Sequence, residues 1–222
     1  MTSRTPVAAG DASASGAAAS PRPLRLGIHG STHLAARIVA AADHPVSSIE
    51  YIRYEVSEPF RLLRAGETDL MLVKYDPFDP DIALSQRVAW DGRAVLVGAH
   101  HPLAAQESVS LEQIADYEGF RCPGDFPPNV WDLVVPPHTW AGRAIRRTHT
   151  MTTVLALVER LRSTLAMHVS FQSLEAVLPP DIKVVPVHDL PPSPVALAWL
   201  RGTRLPERAW RFVRDAERAA ER

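Results

Sequence analysis

The sequence predicts an α/β fold with a parallel sheet, and three observations carry that prediction. Leu24–Ile28 alternates as a strand, turns at Gly30, and leads into a helical stripe of Leu34, Ile38 and Val39 that runs to about Ala42. Ser48–Val56 alternates again, with Ile52, Tyr54 and Val56 on one side. Asp69-Leu70-Met71-Leu72-Val73 is a short apolar run of the kind a buried parallel strand requires. Strand, helix, strand, helix, strand in this order gives a parallel sheet with right-handed crossovers.

Each element has a local cause. Ser31 or Thr32 can cap the first helix, because a hydroxyl there accepts from an otherwise unpaired amide. Ser57 opens a short helix through Phe60, Leu62 and Leu63, which Gly66 ends. Arg93–Gly98 reads as a strand followed by His100-His101-Pro102, and Ser110-Leu111-Glu112-Gln113 is a capping box. Residues 123–140, rich in proline, read as an irregular loop holding Phe126, Trp131 and Trp140. Thr153–Arg162 reads as a helix, Thr164–Val169 as a strand and Phe171–Val177 as a short helix. Lys183–Val187 and Val195–Leu200 follow as strands, and Pro206 starts a last helix that buries Phe212 and Val213.

Composition excludes several function classes. The net charge is −1, so no global positive field exists to hold a phosphate backbone. One cysteine, Cys122, rules out an internal disulfide framework and a cysteine-based metal cluster. Residues 1–23 are mostly Ala, Ser, Gly, Thr and Pro and read as a disordered tail, without the apolar core of a secretory signal. No apolar stretch approaches a membrane span. The expectation is a cytoplasmic protein with no membrane partner.

Ile28-His29-Gly30-Ser31-Thr32-His33 is the segment most open to chemistry. A strand running into a helix N-terminus points unpaired N–H groups and the positive end of a dipole outward, which suits a carboxylate or another oxyanion. The same residues are equally explained if Ser31 or Thr32 only caps the helix. The segment is neither a P-loop nor a dinucleotide fingerprint, because the required glycines and lysine are missing.

The order and spacing of these pieces resemble the effector-binding domain of LysR-type transcriptional regulators, from about Leu24 to Ala220. The phrases that carry the likeness are Leu24–Thr32, Leu63–Val73 with Gly66-Glu67-Thr68-Asp69-Leu70, Arg93–Ala104 continuing into Val109–Ala115, and Val195–Gly202. The resemblance implies the type 2 periplasmic-binding-protein fold: two α/β lobes joined by two crossing hinge strands, with a ligand cleft between them. On that analogy lobe I spans 24–97 and 195–222, and lobe II spans 98–194. The family's regulators begin with a helix-turn-helix and a linker helix. Here only the tail precedes the first strand, so direct nucleic-acid binding is not expected of this chain. A second departure is Glu159-Arg160-Leu161-Arg162-Ser163, where the family usually has a glycine-rich phrase.

If the likeness holds, Ser31, Thr32 and His33 contact ligand, and three further stretches face the same cleft. These are Cys122-Pro123-Gly124, Thr148-His149-Thr150-Met151-Thr152 and Met167-His168-Val169-Ser170. Cys122, His149, Thr150, Met151, His168 and Ser170 therefore join the expected ligand-binding set. Lys74, at the end of the third strand, could add a charge or stay solvated.

Two functions follow. One is a sensor or regulator accessory that closes on a small molecule, an organic acid on the oxyanion reading, with a homodimer or a full-length regulator as partner. The other is an enzyme of specialised metabolism that reuses the cleft as an isomerase, cyclase or lyase. Its catalytic candidates are His29, His33, Cys122, His149 and His168, with acid–base chemistry from the histidines. A lone cysteine reads first as a small buried hydrophobe, and becomes a nucleophile only beside a base such as His149 or His168. No His-Glu-x-x-His phrase exists, so neither a metal nor a cofactor is expected. Phe126, Trp131 and Trp140 either cover an apolar ligand or pack their own loop.

Overall fold

The computed structural model describes residues 22–30, 32–151 and 153–222. All of the expected tail except Arg22 and Pro23 lies outside these residues, as does Ser31.

The first sheet grows from β1 (Leu24–Ile28), which lies between β2 (Ile49–Arg53) and β3 (Leu70–Val73), parallel to both. Helix α1 (Thr32–Ala41) buries Leu34, Ala35, Ile38 and Val39 against the sheet, and α2 (Arg61–Arg64) makes the second crossover. Gly27 is required by close approach: a Cβ there would stand 2.7 Å from Cγ of Met71 on the neighbouring strand. Asp69 clamps the strand ends, accepting from the Arg25 guanidinium at 2.7 Å and from Arg208 at 3.2 Å. Two short strands missed in the sequence, β4 (Ile82–Leu84) and β5 (Ala89–Asp91), complete the sheet by pairing with a later strand.

The chain then leaves this sheet. β6 (Arg93–Gly98) is the wholly buried centre of a three-stranded sheet. Helix α3 (Leu111–Ile114) opens on the expected capping box, with Ser110 Oγ accepting from Gln113 N at 3.3 Å. β7 (Gly119–Phe120) runs parallel to β8 (Arg147–His149). Between them the expected irregular loop contains a helix, α4 (Pro128–Val134), whose Val130, Trp131 and Val134 face inward. Its prolines stand at the cap and first turn, where the missing N–H costs no helical bond, so proline content alone misread the segment.

Helix α5 (Val154–Ser163) is capped by Thr153, whose hydroxyl accepts from Ala156 N at 3.1 Å. The glycine-free phrase at its end needs no glycine. Thr164 is extended (φ −142), and its hydroxyl donates to Arg160 O at 2.7 Å and accepts from Ala166 N at 3.1 Å. β9 (Met167–Phe171) and β10 (Ile182–Pro186) flank β6, both antiparallel to it. The chain returns through β11 (Ser193–Leu200), which pairs with β3, β4 and β5 in the first sheet. Helix α6 (Glu207–Ala220) closes on that sheet with Ala209, Phe212, Val213 and Ala216, one face at 3.6 periodicity.

Two sheets with separate apolar cores are thus joined by an outgoing and a returning segment, the two-lobed architecture expected. Strand pairing changes sheet between Asp91 and Arg93, since all of Arg93–Gly98 pairs with β9 or β10. The return into the first sheet begins at Ser193, opposite Asp91. No helix among the described residues is long and apolar enough to cross a membrane.

Candidate functional site

A cavity of about 120 Å³ lies between the two sheets, walled by both. Apolar cavities of about 150 Å³ hold a molecule the size of benzene, so this volume suits a small ring. Its walls are mainly Leu34, Leu72, Leu96, Phe126, Trp131, Met151, Leu157, Phe171 and Leu174. The two sheets meet directly around it. Gly30, at φ +76, turns the chain between β1 and α1, and the Leu174 side chain occupies the space a Cβ there would need. Asp125 N donates to Ser57 O at 2.9 Å, with Gly124 held so close that a Cβ would stand 2.8 Å from that of Ser57.

A buried ion pair reaches the cavity wall through Lys74. Lys74, at the end of β3, places Nζ 2.9 Å from Asp91 Oδ2, with side-chain exposures of 10% and 4%. Ser173, from the second lobe, completes the cluster: its hydroxyl donates to Asp91 at 2.7 Å and accepts from Lys74 at 2.8 Å. Burial lowers the Lys74 pKa while Asp91 opposes that shift. The Phe171 ring lies between two cations, 4.7 Å from Lys74 Nζ and 5.3 Å from the Arg93 guanidinium. Lys74 is therefore a buried, paired group and not the solvated lysine that an exposed strand end would give.

Two histidines line the cavity, one from each lobe. His29 follows β1 and has its Nδ1 3.3 Å from Tyr54 O. A carbonyl only accepts, so the proton sits on Nδ1 and Nε2 carries the lone pair. Burial, and secondarily Lys74, lowers its pKa to about 4 despite that hydrogen bond. His168 lies on β9, stacked on Trp131 with centroids 5.8 Å apart and edge-on to Phe120 at 5.6 Å. Burial first and His29 second lower its pKa to about 4 as well, and its Nδ1 is buried with no hydrogen-bond partner. Both imidazoles are neutral at pH 7.

The expected site residues divide sharply. His29, His168, Met151 and Ser170 line the cavity. Thr32 and His33 are exposed and do not; the first helical turn buries Leu34 and Ala35, and of these Leu34 lines the cavity. Thr150 is exposed on the strand exit, and Thr152 and Ser31 lie outside the described residues. His149 is turned away toward Glu118, at 3.6 Å, and the ring of Phe120. Cys122 does not line the cavity either. Its thiol donates to Phe126 O at 3.1 Å, and burial raises its pKa, the opposite of an activated nucleophile. Phe126 and Trp131 both wall the cavity and pack the second core, whereas Trp140 is exposed, donating to Asp189 O at 3.2 Å. His101 is structural, its Nδ1 accepting from Leu103 N at 3.1 Å. Among the described residues no three side chains of metal-ligating type converge.

Sequence reasoning missed Tyr54, Tyr75, Asp91, Ser173 and Leu174. An acidic residue at the end of a strand entering a hinge was the one available signal, in Asp91-Gly92-Arg93.

A two-lobed α/β domain with a cavity between its sheets is the architecture of effector-binding domains. The chain belongs to the LysR substrate binding domain family, whose model matches residues 18–220. Solved structures agree on the fold. The effector binding domain of QuiR in complex with shikimate is similar over 91% of this chain and 98% of its own, at 18% identity and TM-score 0.65. The BenM effector binding domain with its effector benzoate covers 89% and 91%, at 18% identity and TM-score 0.64. CbnR, a LysR family transcriptional regulator, is similar over 89% of this chain and 70% of its own, at 17% identity and TM-score 0.69. No curated protein matches this chain significantly in sequence.

Proposed function

We propose that this domain is a small-molecule sensor, in which a ligand held between the lobes stabilises the closed arrangement and a partner reads that state. The observation that carries this reading is the cavity walled by both sheets, with Lys74 in its wall and Ser173 joining the second sheet's side to the Lys74–Asp91 pair. A ligand biases a two-state hinge only by touching one state more than the other, and a molecule filling this cavity touches both lobes only when they are closed. The shikimate and benzoate complexes of QuiR and BenM support a small-molecule effector. We place the lobes at residues 24–91 with 193–222 and residues 93–190, pivoting about Gly92 and Pro191-Pro192. A net charge of −1 favours signalling through a second copy or a full-length regulator over DNA contact by this domain.

Among the described residues, an enzyme built on this cavity would have His29 and His168 as the histidines at the wall, both neutral at pH 7. The test is a thermal-shift screen against small metabolites, with each hit incubated and recovered. A raised melting temperature with the compound recovered unchanged supports the sensor. Turnover supports the enzyme, and no hit from the panel removes both ligand-based readings.

A further inference from the structure

We infer that the cavity takes an uncharged, hydroxyl-bearing ring compound in preference to the carboxylate of the same ring, with the hydroxyl donating to His29 Nε2. This inference rests on the sensor reading above and narrows the ligand's chemical class.

The argument begins with charge. A buried carboxylate needs a cation or several directed N–H groups. Lys74, the cation on the wall, is committed to Asp91 at 2.9 Å and to Ser173 at 2.8 Å. Arg93 is absent from the wall and directs its guanidinium at the carbonyls of Ser170, Leu133 and Val134. Glu55 adds a carboxylate at the rim. At the start of α5 the Thr153 hydroxyl already accepts from the Ala156 amide, and the Leu174 side chain fills the space beside Gly30 at the turn into α1.

The polar groups that remain are neutral. His29 Nε2 has no protein hydrogen bond among the described residues, and the bond from Nδ1 to Tyr54 O leaves it as an acceptor. A carboxylate, which only accepts at pH 7, meets this lone pair unfavourably, whereas a hydroxyl donates to it. His168 Nδ1 is buried without a hydrogen-bond partner, and Tyr75 adds a phenol to the wall. Phe126, Trp131 and Phe171 then supply flat apolar walls for a ring.

Phenol and benzoate test this directly, since they share a ring and differ in charge. Titration of each at pH 7.5 at millimolar concentration, followed by calorimetry and tryptophan fluorescence, should show phenol binding at least about tenfold more tightly. His29→Phe keeps a ring but removes the acceptor and should weaken phenol by about tenfold, while His29→Gln, with an amide oxygen, should restore part of the loss. Circular dichroism of both variants guards against a folding defect, and equal loss in a folded His29→Gln overturns the role of Nε2. Benzoate binding as tightly as phenol, or a screened carboxylate binding where phenol does not, overturns this inference and leaves the sensor reading intact. Absence of any binding compound in the wider panel removes the sensor reading and this inference with it.

Discussion

Lys74 Nζ stands 2.9 Å from Asp91 Oδ2, joining the end of a sheet strand in the first lobe to the residue at which the chain leaves that lobe. Ser173 of the second lobe bonds both partners, which ties that lobe to a charge pair formed within the first. The Ser193 hydroxyl on the returning segment donates to Lys74 O, which ties the second crossing to the same residue.

Removing one charge of this pair leaves the other buried without a partner. Lys74→Met or Asp91→Asn alone should destabilise the domain by about 3–5 kcal/mol in urea unfolding. The double variant Lys74→Met with Asp91→Leu should recover most of that loss, and a double variant as unstable as the worse single would show the pair is not the cause.

Ser173→Ala removes a hydroxyl that bonds both charges without leaving an unpaired ion. A loss of about 1–2 kcal/mol is expected, together with weaker binding of any ligand found by the screen, because Ser173 is the second lobe's contact to the pair. Unchanged affinity would separate the cluster from closure.

The histidines give the stability a pH slope. His29 and His168 titrate near pH 4 in the folded state and near 6.5 when unfolded, so between these values the unfolded chain binds more protons. Stability should therefore be full above about pH 7 and fall as pH drops toward 4, with roughly 3 kcal/mol lost from His168 alone. His168→Phe should flatten that slope, measured as melting temperature against pH.

Gly30→Ala meets two obstacles, a left-handed φ of +76 and the side chain of Leu174. A loss of about 1–2 kcal/mol from the backbone is expected even when Leu174→Ala clears the space, with a larger loss when it does not. Equal losses in both backgrounds would mean the lobes do not press together at this point.

Cys122→Ala should leave ligand binding unchanged. The thiol should react slowly with iodoacetamide at pH 7, since burial holds its pKa high and its hydrogen bond runs to Phe126 O. Rapid alkylation coupled to loss of binding would restore Cys122 to the site.

The sequence alone determined the parallel βαβαβ start, the capping box at Ser110 and the amphipathic last helix, which rest on periodicity and on caps that act over a few residues. The two-lobed fold class came from the resemblance to LysR-type effector domains. It also placed His29, His168, Met151 and Ser170, each at or beside the end of a strand that borders the cavity. Tertiary structure decided the rest. Thr32 and His33 open the first helix, and Cys122, His149 and Thr150 stand at or beyond strand ends, but nothing within their own segments says which side faces the cavity. Lys74 and Asp91 are 17 positions apart and Ser173 lies 82 beyond Asp91, so their union depends on how two sheets close, and not on any local pattern.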